Sequence, residues 1–223
     1  MKRMGCLHAH YSNISYIEEA FHDKGIQWMH FVDPGLVYSS DPERDPGEEG
    51  AKRRVREQLD WMQRCQLDAI LITCTYYAAL LSQLSDPIST DIPILTIDEP
   101  YFVELCRTNT PQLLLFTNPE TVQGTMSRLQ QYAVRSGQTV QVDTEVIDGA
   151  FPLLMQGDKE TYDVVISEHI RLLLEQKPDY RLSVAQLSMV DTVKGQVDHR
   201  GNLIGHPLKP LVREVLSVLQ LES

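Results

Sequence analysis

The stretch Asp68–Tyr77, DAILITCTYY, reads as a β-rich run that gives way at once to the helical TYYAALL. A counterpart returns at Tyr180–Met189, YRLSVAQLSM, where Leu182 and Val184 match Ile70 and Ile72, and Gln186 falls 112 positions after Cys74. Upstream of each, IQWMHFV has its echo in TVQVDTEV. The chain therefore reads as two similar α/β halves with a boundary near Asp98 to Pro100. Further strands are expected at Arg3 to Ala9, Ile26 to Val32, Ile92 to Ile97, Gln112 to Thr117, Thr139 to Ile147 and Arg181 to Gln186. Helical stripes recur at Ala51, Val55, Leu59 and Met62, at Val122, Met126, Leu129 and Ala133, and at Tyr162, Ile166, Ile170 and Leu173. A first helix is bounded by Asn13 as N-cap before Ile14, Ile17 and Phe21, and by Gly25 as its stop. The final stripe Leu208, Leu211, Val212, Val215 and Leu219 is expected to return to the first half. The domains are then residues 1–98 plus 206–223, and residues 99–205, with a cleft between them.

Composition sets the outer limits. The 223 residues are 42% hydrophobic and 23% charged, a globular balance. With 20 Lys plus Arg against 31 Asp plus Glu, the net charge of -11 repels polyanions, so no nucleic-acid partner is expected. The most apolar window, Ala69 to Leu81, is too short to cross a bilayer. The opening MKRMGCLHAHYSN reaches His8 and His10 before any run of signal-peptide length, which predicts a cytoplasmic protein without a membrane segment. Asp41 to Gly50 (DPERDPGEEG), with two Pro, two Gly and five acidic residues, is expected to be an exposed loop. Cys6, Cys65, Cys74 and Cys106 show no CxxC spacing, which argues against a zinc knuckle or redox pair. His22, His30, His169, His199 and His206 show no ligand spacing, and no Gly-rich phosphate motif occurs, so neither metal nor nucleotide cofactor is expected.

Ligands of parallel α/β layers gather beyond the carboxyl ends of strands, where helix N-termini present free N–H groups. Cys74 ends one such strand. The helix dipole there favours its thiolate, although a buried, inert thiol also fits the position. Thr117, Asn118 and Thr121 occupy the corresponding strand-to-helix junction of the second half, as anion donors, as helix caps, or as both. His8 and His10 alternate along a strand and face opposite sides. His10 is preferred for the site because Tyr11, Ser12 and Asn13 follow it at a helix start. Ser188 offers a hydroxyl without an adjacent base. Cys6, Cys65 and Cys106 read as packing residues.

These motifs carry a resemblance. ITCTYYAAL resembles the first cysteine motif of the aspartate/glutamate/hydantoin racemase superfamily, and LLLFTNPETV its threonine-bearing motif. SVAQLSMV falls where that family has its second cysteine strand end, and IGHPLKPLV is similar to the segment preceding the return to the first lobe. The resemblance spans nearly the whole chain. It implies an α/β fold of two pseudosymmetric Rossmann-like three-layer lobes with parallel sheets and an active site in the cleft between them. It also implies cofactor-independent proton transfer at a carbon next to the carboxylate of a small acid, between two cysteines.

Two departures limit the transfer. Gln186 stands at the second cysteine position, and its amide neither accepts nor releases a proton near neutral pH. The first strand reads CLHAHYSN where the amino-acid racemases carry an acidic and a hydroxyl residue. The expectation is thus a racemase-like enzyme with Cys74 as its single acid/base thiol and Gln186 as an amide donor to the intermediate. His10, Tyr11, Ser12, Asn13, Thr75, Tyr76, Thr117, Asn118, Thr121, Leu187 and Ser188 would surround the substrate. A single-cysteine decarboxylase or lyase of the same superfamily, and a non-catalytic small-carboxylate binder, stay open as alternatives. The expected partner is a small carboxylate, with a homodimer left open.

Overall fold

Strands that bury both faces demand helices on both sides, and a parallel sheet supplies them because each crossover needs a helix. The computed structural model describes residues 1–35, 47–86 and 88–221. Its elements run β1 (Lys2–His8), α1 (Asn13–Ala20), β2 (Ile26–Val32), α2 (Gly47–Gln63), β3 (Ala69–Ile72), α3 (Thr75–Ser82), β4 (Ile94–Thr96) and α4 (Glu99–Arg107). They continue with β5 (Gln112–Phe116), α5 (Val122–Arg135), β6 (Val142–Val146), α6 (Ala150–Met155), α7 (Lys159–Gln176), β7 (Arg181–Val184), α8 (Val190–Val193) and α9 (Leu208–Val218). The chain divides into two compact units, Met1–Ile97 with Leu211–Ser223, and Asp98–Pro210. Asp98 goes with the second unit because its buried carboxylate pairs with the buried Arg128 guanidinium on α5.

Each unit holds one parallel sheet, in strand order β2-β1-β3-β4 in the first and β6-β5-β7 in the second. The repeat seen in the sequence is a repeat of register. Leu7 pairs with Ile72 as Leu115 pairs with Val184. Beyond the strands, Thr73 N–H donates to Leu7 O at 3.0 Å and Asp33 N–H to His8 O at 2.9 Å. Ala185 N–H to Leu115 O and Ile147 N–H to Phe116 O, at 2.9 and 2.8 Å, reproduce that pair in the second unit. By this equivalence Cys74 and Gln186 are counterparts, as are the chain ends after β1 and after β5.

In the second unit all five residues of β5 are buried, and their sides alternate. Leu113 and Leu115 join Ile147, Tyr162, Ile166, Ile170 and Leu173 in one core, whereas Leu114 and Phe116 join Tyr101, Phe102, Leu105, Leu129 and Ala133 in another. This is a three-layer unit. In the first unit Leu7, Ile70 and Ile72 pack with Val55, Leu59 and Met62 of α2 and Tyr77 and Leu80 of α3. The opposite side chains of β1, Met4, Cys6 and His8, are also fully buried.

Three local expectations change. Asn13 is the first residue of α1 and Ser12 takes the cap position without a side-chain cap bond; its own N–H donates to His10 Nδ1 at 3.2 Å and its Oγ lies 2.7 Å from the same nitrogen. The helix ends at Ala20, before Gly25, which instead supplies a positive φ of 70° in the turn to β2. Of the loop expected at Asp41 to Gly50, residues 41–46 lie outside the described residues. Gly47 to Gly50 form the first turn of α2, where Glu48 and Glu49 suit the positive end of the helix dipole and pair with Lys52 at 2.6 and 3.1 Å.

A fourth strand is vestigial in the second unit. Where β4 pairs along β3, only Gly205 bridges Ser183, with Gly205 N–H to Leu182 O at 3.0 Å and Val184 N–H to Gly205 O at 2.9 Å. A Cβ at Gly205 would overlap the buried Tyr101 hydroxyl and come within 2.7 Å of Ser183 Oγ. Gly205→Ala should therefore destabilise the protein by roughly 1–3 kcal/mol through overpacking, measured by chemical denaturation. A loss below about 0.5 kcal/mol would show that Tyr101 swings aside freely.

Candidate active site

Because the strands of a sheet are parallel, their carboxyl ends lie along one edge, and the residues singled out in sequence collect there. In the first unit Cys74 follows β3 in an extended conformation (φ -96°, ψ 120°) and its carbonyl accepts the first helical bond of α3, from Ala78 N–H at 2.9 Å. Its side chain is half-buried and it forms no disulfide. Thr75 is buried and Tyr76 half-buried in the first turn of that helix. At the end of the adjacent β1, His10 Nδ1 accepts from Ser12 N–H at 3.2 Å and lies 2.7 Å from Ser12 Oγ. An N–H donor at that nitrogen fixes the His10 proton on Nε2. Burial lowers the His10 pKa from its ordinary value. Tyr11 packs against His10 in a tilted arrangement at 4.4 Å between ring centroids yet is largely exposed. Asn13 sits half-buried in the first turn of α1.

In the second unit the geometry is closed by Gln186. Its Oε1 accepts from Thr117 N–H at 2.7 Å, from Thr117 Oγ1 at 2.8 Å and from Asn118 N–H at 3.2 Å. Two of these donors are backbone amides that cannot reverse, so the side-chain oxygen, not the nitrogen, must point at them. The amide nitrogen is thereby fixed facing away, with two N–H donors to offer. Gln186 thus occupies with its own carbonyl the strand-end position where an external anion would sit.

The neighbouring hydroxyls form a directed chain. Gln186 Oε1 is purely an acceptor, so Thr117 gives it its proton and receives from Tyr162 Oη at 3.4 Å, which lies 2.8 Å from Ser188 Oγ. Thr121 Oγ1 donates to Asn118 O at 2.8 Å, and Asn118 Oδ1 accepts from Glu120 N–H at 3.1 Å, closing the turn before α5. Leu187 is buried in the short turn after Gln186 and contributes packing. The fold thus gathers Thr117, Asn118, Gln186 and Ser188 into one network and leaves Thr121 beside it, bonded back to the Asn118 carbonyl.

Two contributors had no place in the sequence-based site. Tyr162 read as one member of a helix stripe; its ring is core, but its hydroxyl links Thr117 to Ser188. His8, passed over in favour of His10, is fully buried, with Nδ1 2.9 Å from Thr73 Oγ1 and Nε2 2.9 Å from His30 Nδ1. Burial, aided by the proximity of His30, lowers its pKa to about 3, so it is neutral at physiological pH. The parity of β1, which places Met4, Cys6 and His8 on one face, together with the pairing to β2, was the available signal.

Burial pushes the Tyr162 pKa up to about 12, its bonds to Ser188 and Thr117 opposing the rise. An unfolded tyrosine ionises near 10, so the folded state holds more protons between those values. The contribution of Tyr162 is therefore complete below pH ~10 and lost as pH rises toward ~12, at up to about 1.4 kcal/mol per pH unit. Denaturant titrations across this range should show the difference between wild type and Tyr162→Phe shrinking as pH rises. A difference independent of pH would mean that Tyr162 ionises at its ordinary value.

No protein-family model matches the sequence, and no curated protein matches it either. Solved structures do. The chain is similar over its whole length to Picrophilus torridus aspartate racemase, covering 96% of that chain at 10% identity with a TM-score of 0.68. Over 98% of its length it is similar to Francisella tularensis glutamate racemase, solved in complex with D-glutamate, covering 81% of that chain at 10% identity and a TM-score of 0.68. Over 99% of its length it is similar to Klebsiella pneumoniae allantoin racemase, covering 89% of that chain at 16% identity and a TM-score of 0.60. With parallel α/β units related by a common register, the chain has the fold of these aspartate, glutamate and allantoin racemases.

Proposed function

We propose that this protein is a racemase-like enzyme that transfers a proton, without a cofactor, at a carbon next to the carboxylate of a small acid, with Cys74 as its single acid/base thiol. The observation that carries the proposal is the equivalence of Cys74 and Gln186 at matching strand ends, one bearing a titratable group and the other an amide locked in one orientation. A thiol next to a helix N-terminus exchanges protons with an acidic carbon, and an oriented N–H pair stabilises the enolate-like charge that develops. Aspartate, glutamate and allantoin, the compounds in the names of the structural neighbours, are the first to test.

In this reading Thr117 and Asn118 act on the substrate through Gln186. Their donors are already engaged with its oxygen, and their contribution is to aim its nitrogen. His10, Tyr11, Ser12, Asn13, Thr75, Tyr76 and Ser188 line the ligand side of the strand ends. The missing second thiol also suits decarboxylation of a small dicarboxylate, since a single thiol suffices to protonate one face of the enolate left behind.

Inversion of a stereocentre needs a base on one face and an acid on the other, whereas isotope exchange needs only one group. In heavy water the wild-type protein should therefore exchange the α-hydrogen of one enantiomer with retention and produce no racemate, and Cys74→Ala should abolish exchange. Gln186→Cys should create racemisation, and loss of three hydrogen bonds should lower stability by roughly 1–3 kcal/mol. Binding without exchange would favour the non-catalytic carboxylate binder. Efficient racemisation by the wild-type protein would sink the single-thiol mechanism.

A further inference from the structure

Register brings together three residues that are scattered in sequence. In the β1/β2 pairing Cys6 lies directly opposite His30, and His8 follows two positions along on the same face of β1. Their side chains thus share one side of the sheet, with His8 Nε2 and His30 Nδ1 2.9 Å apart. Their donor atoms all lie within 4.8 Å of one another. Cys6 and His8 are fully buried and the His30 side chain is 15% exposed.

We propose that Cys6 Sγ, His8 Nε2 and His30 Nδ1 form a binding site for a soft d10 cation, copper(I) in preference to zinc(II). Metal-bound imidazoles take a partner at the second ring nitrogen that fixes tautomer and orientation; His8 has one, and His30 has a carboxylate nearby. With its lone pair on Nε2, His8 carries its proton on Nδ1 and donates to Thr73 Oγ1 at 2.9 Å, and Thr73 in turn donates to Leu7 O at 3.2 Å. With its lone pair on Nδ1, His30 carries its proton on Nε2, a buried nitrogen with no hydrogen-bond partner among the described residues and with Glu18 Oε1 3.6 Å away. Both second nitrogens face oxygen.

Distances and charge decide between the ions. Bond lengths near 2.0 Å to nitrogen and 2.3 Å to sulfur place trigonal donors about 3.5 Å apart, so the 2.9 Å His8–His30 contact must open by roughly half an ångström. On binding, the Cys6 thiol releases its proton to solvent and its sulfur bonds the cation. The proton between the imidazoles leaves His30 Nδ1 and reappears on Nε2, so one proton is released per ion. A thiolate with two neutral imidazoles then makes a neutral site with copper(I), but leaves a buried positive charge with zinc(II), which also prefers a fourth donor.

Anaerobic titration with copper(I) against a chromogenic chelator should give one tightly held ion per chain, and X-ray absorption at one equivalent should show two imidazole nitrogens and one sulfur. Cys6→Ser and His30→Gln should each weaken binding by at least about 100-fold with the circular dichroism spectrum unchanged. His30 is the least buried of the three, so its variant serves if the Cys6 variant fails to fold. Cys74→Ser should bind as tightly as wild type, which separates this site from the proton-transfer reading. Sulfur-only ligation, undiminished affinity in both ligand variants, or tighter binding of zinc(II) than of copper(I) would overturn the proposal.

Discussion

The structure depends on a central strand paired in parallel on both sides, β1 between β2 and β3, and β5 between β6 and β7. Parallel pairing forbids hairpins, so every connection leaves the sheet, covers a face and returns, and every strand ends at the same edge. The hydrogen bonds just past the strands, Thr73 to Leu7 and Ala185 to Leu115, hold the next residues, Cys74 and Gln186, at equal height. Once those registers are set, which residue types reach the edge is a matter of sequence alone. The burial of both faces then makes slippage costly, because a one-residue shift would exchange Leu113 and Leu115 with Leu114 and Phe116 between two differently shaped cores.

At that edge the second unit satisfies itself. Two backbone N–H groups and a threonine hydroxyl converge on a single point, an arrangement that binds an oxygen bearing negative charge. Gln186 supplies a neutral oxygen on a short tether, and an external carboxylate would have to displace an intramolecular partner whose effective concentration is high. Gln186 therefore gains orientation from donors that would otherwise bind a ligand. A thiol in its place, being a weak acceptor, would leave those donors open. Relative to a thiol at this position, Gln186 differs in two properties together: it transfers no proton, and it fills an anion-binding corner.

The strands, the main covering helices and the pairing of the two halves were legible because hydrophobic periodicity and the 112-residue echo are local or additive signals. What the sequence could not express is partnership across strands. Thr117 reads equally as cap or anion donor, and only the position of the Gln186 side chain shows that its hydroxyl and amide are both engaged. Cys6 and His30 carry no ligand spacing along the chain, since their proximity arises from the pairing of β1 with β2. Gly47 to Gly50 misread as loop because composition there is dominated by glycine and acids, yet acids are favoured in the first turn of a helix.

The buried polar groups of the two units are resolved in contrasting ways. In the second, Arg128 and Asp98 form a buried ion pair, and Arg128 also lies 5.6 Å from the Phe102 ring centroid, so the desolvation of the guanidinium is shared between a charge and a π face. Thr117, Tyr162, Ser188 and Gln186 form a continuous donor chain ending in an acceptor. In the first unit the buried chain runs from the Leu7 carbonyl through Thr73 and His8 to His30 and ends at Nε2 without a hydrogen-bond partner among the described residues. A chain that ends on an unmatched nitrogen costs about 1–3 kcal/mol in desolvation. A cation between the two rings would move the proton onto that nitrogen, toward Glu18, converting the open end into a charge-assisted contact. The same strand register that places Cys74 just past β3 thus leaves, deeper on β1, the polar cluster with the most to gain from a ligand.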